Sequence, residues 1–142
     1  MQLQGATLAS IVMLMPMFIK TLILALLFVS GSVCAEWLKI GEGMDDSSFY
    51  IDPATIRQDG NLRTVWRKVE LKIRAEGGQI SSRSKLEFDC KKELFRLLAF
   101  SQFSEQMLAG KLLGYGDFPD ARYRAIAPDT MDSDMMKVVC AW

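Results

Sequence analysis

The sequence has no histidine among its 142 residues, and it contains only three cysteines and four prolines. Without an imidazole group, the chain cannot form a Ser-His-Asp triad, a histidine-ligated zinc site or a histidine-bound haem site. An excess of either charge is also missing, because 17 Lys and Arg residues balance 17 Asp and Glu residues. This balance argues against nucleic-acid binding, which normally requires a surplus of basic residues. The length suits a single domain.

The longest apolar stretch of the sequence lies near its N-terminus, from Leu8 to Val29. From Met17 onwards, the segment has a short cationic start that includes Lys20, then an apolar core and a run of small residues. This arrangement is typical of a secretory signal peptide. We therefore expect residues 1–35 to be a cleaved signal peptide, with Met17 as an alternative translation start. Residues 36–142 would then be the mature domain.

Two other interpretations of the N-terminal segment stay open. It could be an uncleaved membrane anchor, because residues 8–29 approach the roughly 20 apolar residues that a span requires. It could also carry a lipid on Cys34, although Gly31–Cys34 lacks the Leu-x-small-Cys pattern of lipoproteins. Under each interpretation the domain is exported to the periplasm, the outer-membrane surface or the medium. Only the N-terminal segment would contact a membrane.

Two cysteines, Cys90 and Cys140, remain once residues 1–35 are removed. Two cysteines in an oxidising compartment most often pair with each other. A bridge across the 49 residues between them could stabilise the domain by about 4 kcal/mol in the chain-entropy model. A redox or metal role has little support, because the sequence has neither a C-x-x-C motif nor a third ligand. We predict a disulfide between Cys90 and Cys140.

The mature sequence predicts a series of strands followed by one helix. Strand composition or alternation is present at residues 37–40, 47–51, 62–73, 81–90 and 94–103, and more weakly at 111–115. Asp52–Ile56 predicts a single helical turn capped by Asp52, with Pro53 at its first position. From Met131 to Trp142, apolar residues recur at helical spacing. We therefore expect an α+β fold, an antiparallel sheet of five to six strands with the C-terminal helix packed on it and disulfide-linked to it.

Alternation along residues 81–90 assigns the side chains to two faces of one strand. Cys90 falls on the face expected to be buried, and Glu87 falls on the face expected to meet solvent. The same alternation separates Ser82 from Lys85, so the S-x-x-K spacing of penicillin-recognising enzymes cannot place the lysine beside the serine. With no supported catalytic, metal or cofactor motif, we predict a protein that is not an enzyme and binds no cofactor.

Several short motifs follow one another in a particular order along residues 36–142. They are Glu36-Trp37, Phe49–Ile56, Val65-Trp66, Ser81–Ser84 leading to Glu87–Cys90, and Pro128–Thr130 before a helix that contains Cys140. None is specific alone, but their order and spacing resemble the bacterial surface-adhesin protein E family over essentially the whole mature chain. The resemblance implies a small secreted domain with an antiparallel sheet, a C-terminal helix and a disulfide.

The same resemblance gives the first hypothesis about function. It implies an exported, non-catalytic domain that recognises proteins of the host matrix or of the cell envelope, because the named member of the family is such an adhesin. The alternative is a periplasmic housekeeping protein that binds a small ligand or assists assembly. Neither hypothesis assigns a binding residue, since function depends on surface sites rather than on the scaffold.

Two clusters in the sequence are candidates for a protein-binding surface. The densest group of basic residues falls within residues 63–74, and an unusually apolar strand covers residues 94–103. The simpler explanation is that the basic residues keep the surface soluble and that the apolar strand packs in the core. The sharper explanation is contact with a partner protein, or with a second copy of the chain in a homodimer. The residues chosen for it are Arg63, Arg67, Lys68, Lys72, Phe95 and Phe103.

Overall fold

A computed structural model describes residues 36–142, and the expected signal peptide lies outside this range. Within it the chain forms seven strands and one helix: β1 (Leu38–Glu42), β2 (Ser48–Asp59), β3 (Leu62–Glu70), β4 (Ser81–Asp89), β5 (Leu94–Phe103), β6 (Leu112–Asp117), β7 (Arg124–Ala125) and α1 (Met131–Cys140). All strands belong to one antiparallel sheet. The predicted α+β fold with a C-terminal helix is confirmed.

The first six strands lie side by side in the order in which they occur along the chain. Strands β2 and β3 are joined by a tight turn in which Gly60 has a positive φ of 56°, a conformation that glycine adopts without steric cost. The two-residue strand β7 pairs with Leu94 and Phe95, beside the first residues of β5. Strand β5 is therefore paired on both sides, with β4 along one edge and with β6 and β7 along the other.

The helical turn predicted for Asp52–Ile56 is wrong, because this segment belongs to strand β2. The predicted capping contact does form, since Asp52 Oδ1 accepts a hydrogen bond from the Ala54 amide at 3.1 Å. However, pairing with β3 on both sides of the segment keeps the chain extended, with an irregular register between Asp52 and Arg57. The Trp66 amide of β3 donates to the Thr55 hydroxyl at 3.0 Å within this irregular stretch.

The strand predicted for residues 62–73 is shorter than expected and ends at Glu70. After it, the Leu71 amide bonds to the Ile80 carbonyl at 2.8 Å, and the Ala75 amide bonds to the Gln79 carbonyl at 3.0 Å. These two bonds close the β3–β4 connection. Ile73, an apolar residue of the predicted strand, lies in this connection and is exposed.

Helix α1 packs on one face of the sheet through Met135 and Val139, which are fully buried. They meet buried side chains from three strands: Ile51 of β2, Val65 of β3, and Leu86 and Phe88 of β4. Thr130 caps the helix by accepting a hydrogen bond from the Ser133 amide at 3.3 Å. The predicted Cys90–Cys140 disulfide is present, with the two Cα atoms 5.8 Å apart.

The opposite face of the sheet, called the open face below, carries polar and aromatic side chains. Residues paired across antiparallel strands share a face, and two rows of such pairs define this one. The rows are Tyr50, Lys68, Arg83, Ser101 and Tyr115, and then Asp52, Trp66, Lys85, Ala99 and Asp117. Within residues 36–142, the only helix is α1, on the other face. None of the helical structure described here is long and apolar enough to cross a bilayer.

Candidate functional site

Three cationic side chains lie over aromatic rings on the open face. Lys68 Nζ is 4.4 Å from the centre of the Tyr50 ring and 5.3 Å from that of Trp37. The Arg83 guanidinium lies 5.0 Å from the Trp66 ring, and that of Arg96 lies 4.8 Å from the Tyr123 ring. Such contacts stabilise both partners and hold them in fixed orientations. The open face therefore presents ordered aromatic and cationic groups.

Lys68, which pairs in register with Arg83 on the open face, is almost completely buried. Its Nζ atom lies 3.4 Å from Glu70 Oε1, so the buried charge has an acidic partner. The same Glu70 carboxylate accepts a hydrogen bond from the Met107 amide at 3.0 Å. Met107 and Leu108 both have positive φ angles, and Ser81 Oγ accepts from the Leu108 amide at 3.1 Å. These bonds hold the β5–β6 loop against the sheet beside Lys68.

Part of the open face is accessible to solvent. Arg83 is exposed while it stacks on Trp66, and Tyr115 is 73% exposed in the same cross-strand row as Arg83. A shallow cavity of about 220 Å³ lies beside Trp66, with Arg57 and Lys85 among the residues that line it. Trp, Tyr and Arg are the residues that most often dominate the free energy of protein–protein binding. This region is the candidate contact surface.

At the far end of the open face, Glu87 does not meet solvent as predicted but is buried. Its Oε1 atom accepts hydrogen bonds from Arg96 Nε at 2.7 Å and from the Tyr123 hydroxyl at 2.6 Å. Burial raises the pKa of Tyr123, and the hydrogen bond to Glu87 raises it further. The alternation of β4 placed Glu87 on the correct face, but its partners come from β5 and from the segment before β7.

The four basic residues predicted for a partner surface do not form one patch. Arg67 points towards α1, where Nη1 lies 3.3 Å from Asp132 Oδ1, and burial lowers its pKa. Arg63 donates to the carbonyl groups of the β2–β3 turn. Lys68 is buried on the open face, whereas Lys72 is exposed and pairs with Asp46 at 2.6 Å. Of the four, Lys72 is the one with an exposed side chain, and its charge is paired with that of Asp46.

The two predicted aromatic residues lie on different faces of β5. Phe95 belongs to the packing around the core, and its ring centre is 6.2 Å from that of Phe88. Phe103 pairs with Ser81 on the open face and is partly exposed. The apolar character of β5 on both faces reflects its position as an inner strand. The structure therefore separates Phe95 from Phe103.

The open face also includes Arg83, Tyr115 and Tyr123, which were not among the residues predicted from the sequence. The available signal was the alternation of β4, which places Arg83 and Lys85 together on the side opposite the core. Their aromatic neighbours come from other strands, so the pairs depend on the register of the sheet. Among residues 36–142, no group of three Asp, Glu or Cys side chains could hold a metal ion.

The chain therefore folds into a small domain made of one antiparallel sheet, a C-terminal helix and a disulfide that links them. The model of the family described as "Surface-adhesin protein E" matches residues 37–141. The chain belongs to this family. Membership in this family supports an adhesin-like role at the cell surface.

Solved structures of protein E from Haemophilus influenzae have a similar fold. Crystal form II is 15% identical, with a TM-score of 0.60, covering 77% of this chain and 90% of that chain. The selenomethionine form is 14% identical, with a TM-score of 0.60, covering 77% and 88%. Protein E from the non-typeable bacterium is 15% identical, with a TM-score of 0.54, covering 78% and 79%. At sequence identities this low, the structural similarity shows a shared fold only. A comparison with curated protein sequences gives no significant match.

Proposed function

We propose that the chain is an exported, non-catalytic binding domain that recognises a protein of the host matrix or of the cell envelope. The observation that carries this proposal is the accessible part of the open face, where Arg83 stacks on Trp66 and Tyr115 is exposed. Family membership supports the same role. The contact surface would be rigid before binding, which lowers the entropy cost of association.

The chemistry of the open face favours a partner with acidic and apolar side chains. Arg83 and Lys85 supply positive charge near the centre of the face, while Trp66 and Tyr115 supply flat aromatic area. Of the residues predicted from the sequence, Lys72 and Phe103 would extend this contact. Lys68 would act indirectly, because it is buried beneath the β5–β6 loop.

The proposal is tested by retention of the mature protein on a panel of immobilised matrix proteins. We expect Arg83→Ala and Tyr115→Ala each to weaken retention at least tenfold, the effect of losing a central contact residue. Lys92→Ala removes an exposed charge from the β4–β5 turn and serves as the matched control, with retention unchanged. No retention of the wild-type protein by any member of the panel would contradict a role in matrix binding.

Export through residues 1–35 is part of this proposal. Labelling of intact cells with a reagent that does not cross membranes should mark the protein if it faces the exterior. A protein that is labelled only after the outer membrane is opened would instead be periplasmic. A periplasmic role in binding a small ligand is the second candidate, and it is favoured by a cavity of about 540 Å³ beside Leu97 and Phe118.

A further inference from the structure

The cavity at the edge of the sheet lies between β5 and the segment that connects β6 to β7. Its volume of about 540 Å³ is in the range of small-molecule sites. Leu97, Phe118 and Ala121 supply apolar surface, and Asp120, Arg122 and Arg124 supply charge. We propose that this cavity binds a single-chain amphiphilic anion, with its apolar chain against Leu97 and Phe118 and its carboxylate or phosphate head on Arg122 and Arg124. This inference does not depend on binding to a matrix protein.

Both arginines line the cavity, on the side of the sheet opposite Tyr123. Tyr123 lies on the open face, where its hydroxyl donates to Glu87 at 2.6 Å. Arg124 pairs in register with Phe95, so it shares the face of Phe95 rather than that of Tyr123.

The wall of the cavity is fixed by hydrogen bonds that do not use its lining side chains. The Phe118 amide donates to the Leu98 carbonyl at 2.7 Å. Arg96, whose guanidinium stacks on Tyr123, also donates to the Pro119 carbonyl at 3.3 Å. The segment is therefore held in place before a ligand arrives, so binding would cost little ordering entropy.

The apolar surface of the cavity depends on two stacked rings. Phe118 lies 5.8 Å from Phe100, centre to centre, with the ring planes within 8° of parallel. A Cβ atom at Gly116 would lie 2.9 Å from the Phe100 ring and 3.0 Å from the Phe118 ring, so both rings require a glycine there. Phe118 is nevertheless 40% exposed, which leaves apolar area for a ligand to cover.

The charge of the lining favours an anion. Within residues 36–142, neither Arg122 nor Arg124 has an ion-pair partner within 4 Å, and Asp120 is the single acidic residue of the lining. Guanidinium groups bind carboxylates and phosphates through paired hydrogen bonds. Two arginines beside an apolar wall fit a head group joined to a single chain. A long peptide would need an extended groove rather than a cavity of this size.

The test is a calorimetric titration of the mature protein with decanoate and with decyl phosphate, each below its micellar concentration. We expect both to bind saturably at one site, decanol to bind at least tenfold more weakly, and inorganic phosphate and decyltrimethylammonium not to bind. The double variant Arg122→Gln, Arg124→Gln should lower the affinity for both anions at least tenfold and leave that for decanol unchanged. Phe118→Ala should weaken the binding of decanoate, decyl phosphate and decanol.

Lys111→Gln is the matched control, because it removes an exposed positive charge beyond the opposite end of β6. Equal binding of decanoate by the wild-type protein and by the double arginine variant would overturn the proposal. Binding of an acidic peptide but not of decanoate would also overturn it. The four affected or control residues, Phe118, Arg122, Arg124 and Lys111, differ from those of the matrix-binding test, so failure of one proposal is distinguishable from failure of the other. Circular dichroism verifies that each variant is folded.

Discussion

At the scale of single residues, Glu87 shows how the sheet recruits partners from distant parts of the chain. Its carboxylate accepts hydrogen bonds from Arg96, which is nine residues away, and from Tyr123, which is 36 residues away. A buried carboxylate without such donors would cost several kcal/mol of desolvation. The pair of donors therefore makes burial tolerable and at the same time fastens the segment before β7 to the open face.

Replacement of Tyr123 by phenylalanine should lower the free energy of unfolding by about 1 kcal/mol at pH 8, because one hydrogen bond to Glu87 is lost. The pKa of Tyr123 is raised above its ordinary value of 10.0, first by burial and then by Glu87. Since the folded pKa exceeds the unfolded one, this contribution is fully present below about pH 10 and is lost as the pH rises through the folded pKa. Urea unfolding of the wild-type protein and of Tyr123→Phe between pH 8 and pH 11 measures this contribution.

The control for this prediction is the absorbance titration of the three tyrosines in the folded protein. In Tyr123→Phe, the ionisation with the raised pKa should disappear, and the difference in stability from the wild type should shrink at alkaline pH. A stability difference that stays constant between pH 8 and pH 11 would count against the hydrogen bond as its source.

At the scale of secondary-structure elements, α1 stabilises the sheet by two different means. Met135 and Val139 bury apolar surface against β2, β3 and β4, and each fully buried side chain of this size contributes roughly 1.5–3 kcal/mol. The disulfide adds a covalent link at the last turn of the helix, where Cys140 meets Cys90 at the end of β4. A helix of only ten residues would be marginal without such tertiary contacts.

Reduction of the disulfide should lower the free energy of unfolding by about 4 kcal/mol, because the bridge closes a loop with a sequence separation of 50 residues. The measurement is urea unfolding with and without a reductant, with Cys90→Ala, Cys140→Ala as a variant that reductant cannot affect. Mass spectrometry of protein from its native host should find both sulfur atoms in the bridge. Free thiols at both positions would show that the link is not used in the cell.

At the scale of the whole molecule, the described domain offers two separate regions for contact. The open face presents Trp66, Arg83 and Tyr115, whereas the cavity at the edge of the sheet presents Arg122 and Arg124 on the other side. The disulfide and the helix lie apart from these three residues of the open face. Variants of one region are therefore expected to leave binding at the other unchanged.

The mature protein should begin at Glu36 if residues 1–35 act as a signal peptide. N-terminal sequencing of protein recovered from the periplasm, the cell surface or the medium checks this prediction. A replacement of Ala35 by a large residue should block cleavage, because signal peptidase requires a small residue immediately before the site. Recovery of an intact N-terminus on the exported wild-type protein would instead support an uncleaved anchor.

Local patterns were sufficient to predict most elements of the sheet and the helix. The alternation of residues 81–90 identified β4, and helical spacing identified α1; Cys90 packs against the core but is only partly buried. The prediction from local pattern was wrong at Asp52–Ile56. The capping residue Asp52 and the following Pro53 favour a helical turn, but pairing with β3 keeps the chain extended. The local hydrogen bond at Asp52 is compatible with both outcomes, so only the neighbouring strand decided between them.

Residue types, their periodicity and their counts were sufficient to predict the class of the fold, the pairing of Cys90 with Cys140 and the absence of imidazole chemistry. Which side chains contact one another depends on the tertiary structure. It buried Lys68, turned Arg67 towards α1, joined Arg83 to Trp66 and directed Arg122 and Arg124 towards one cavity. Those contacts follow from the register between strands, which a single sequence does not display, since a shift of one residue moves every side chain to the opposite face.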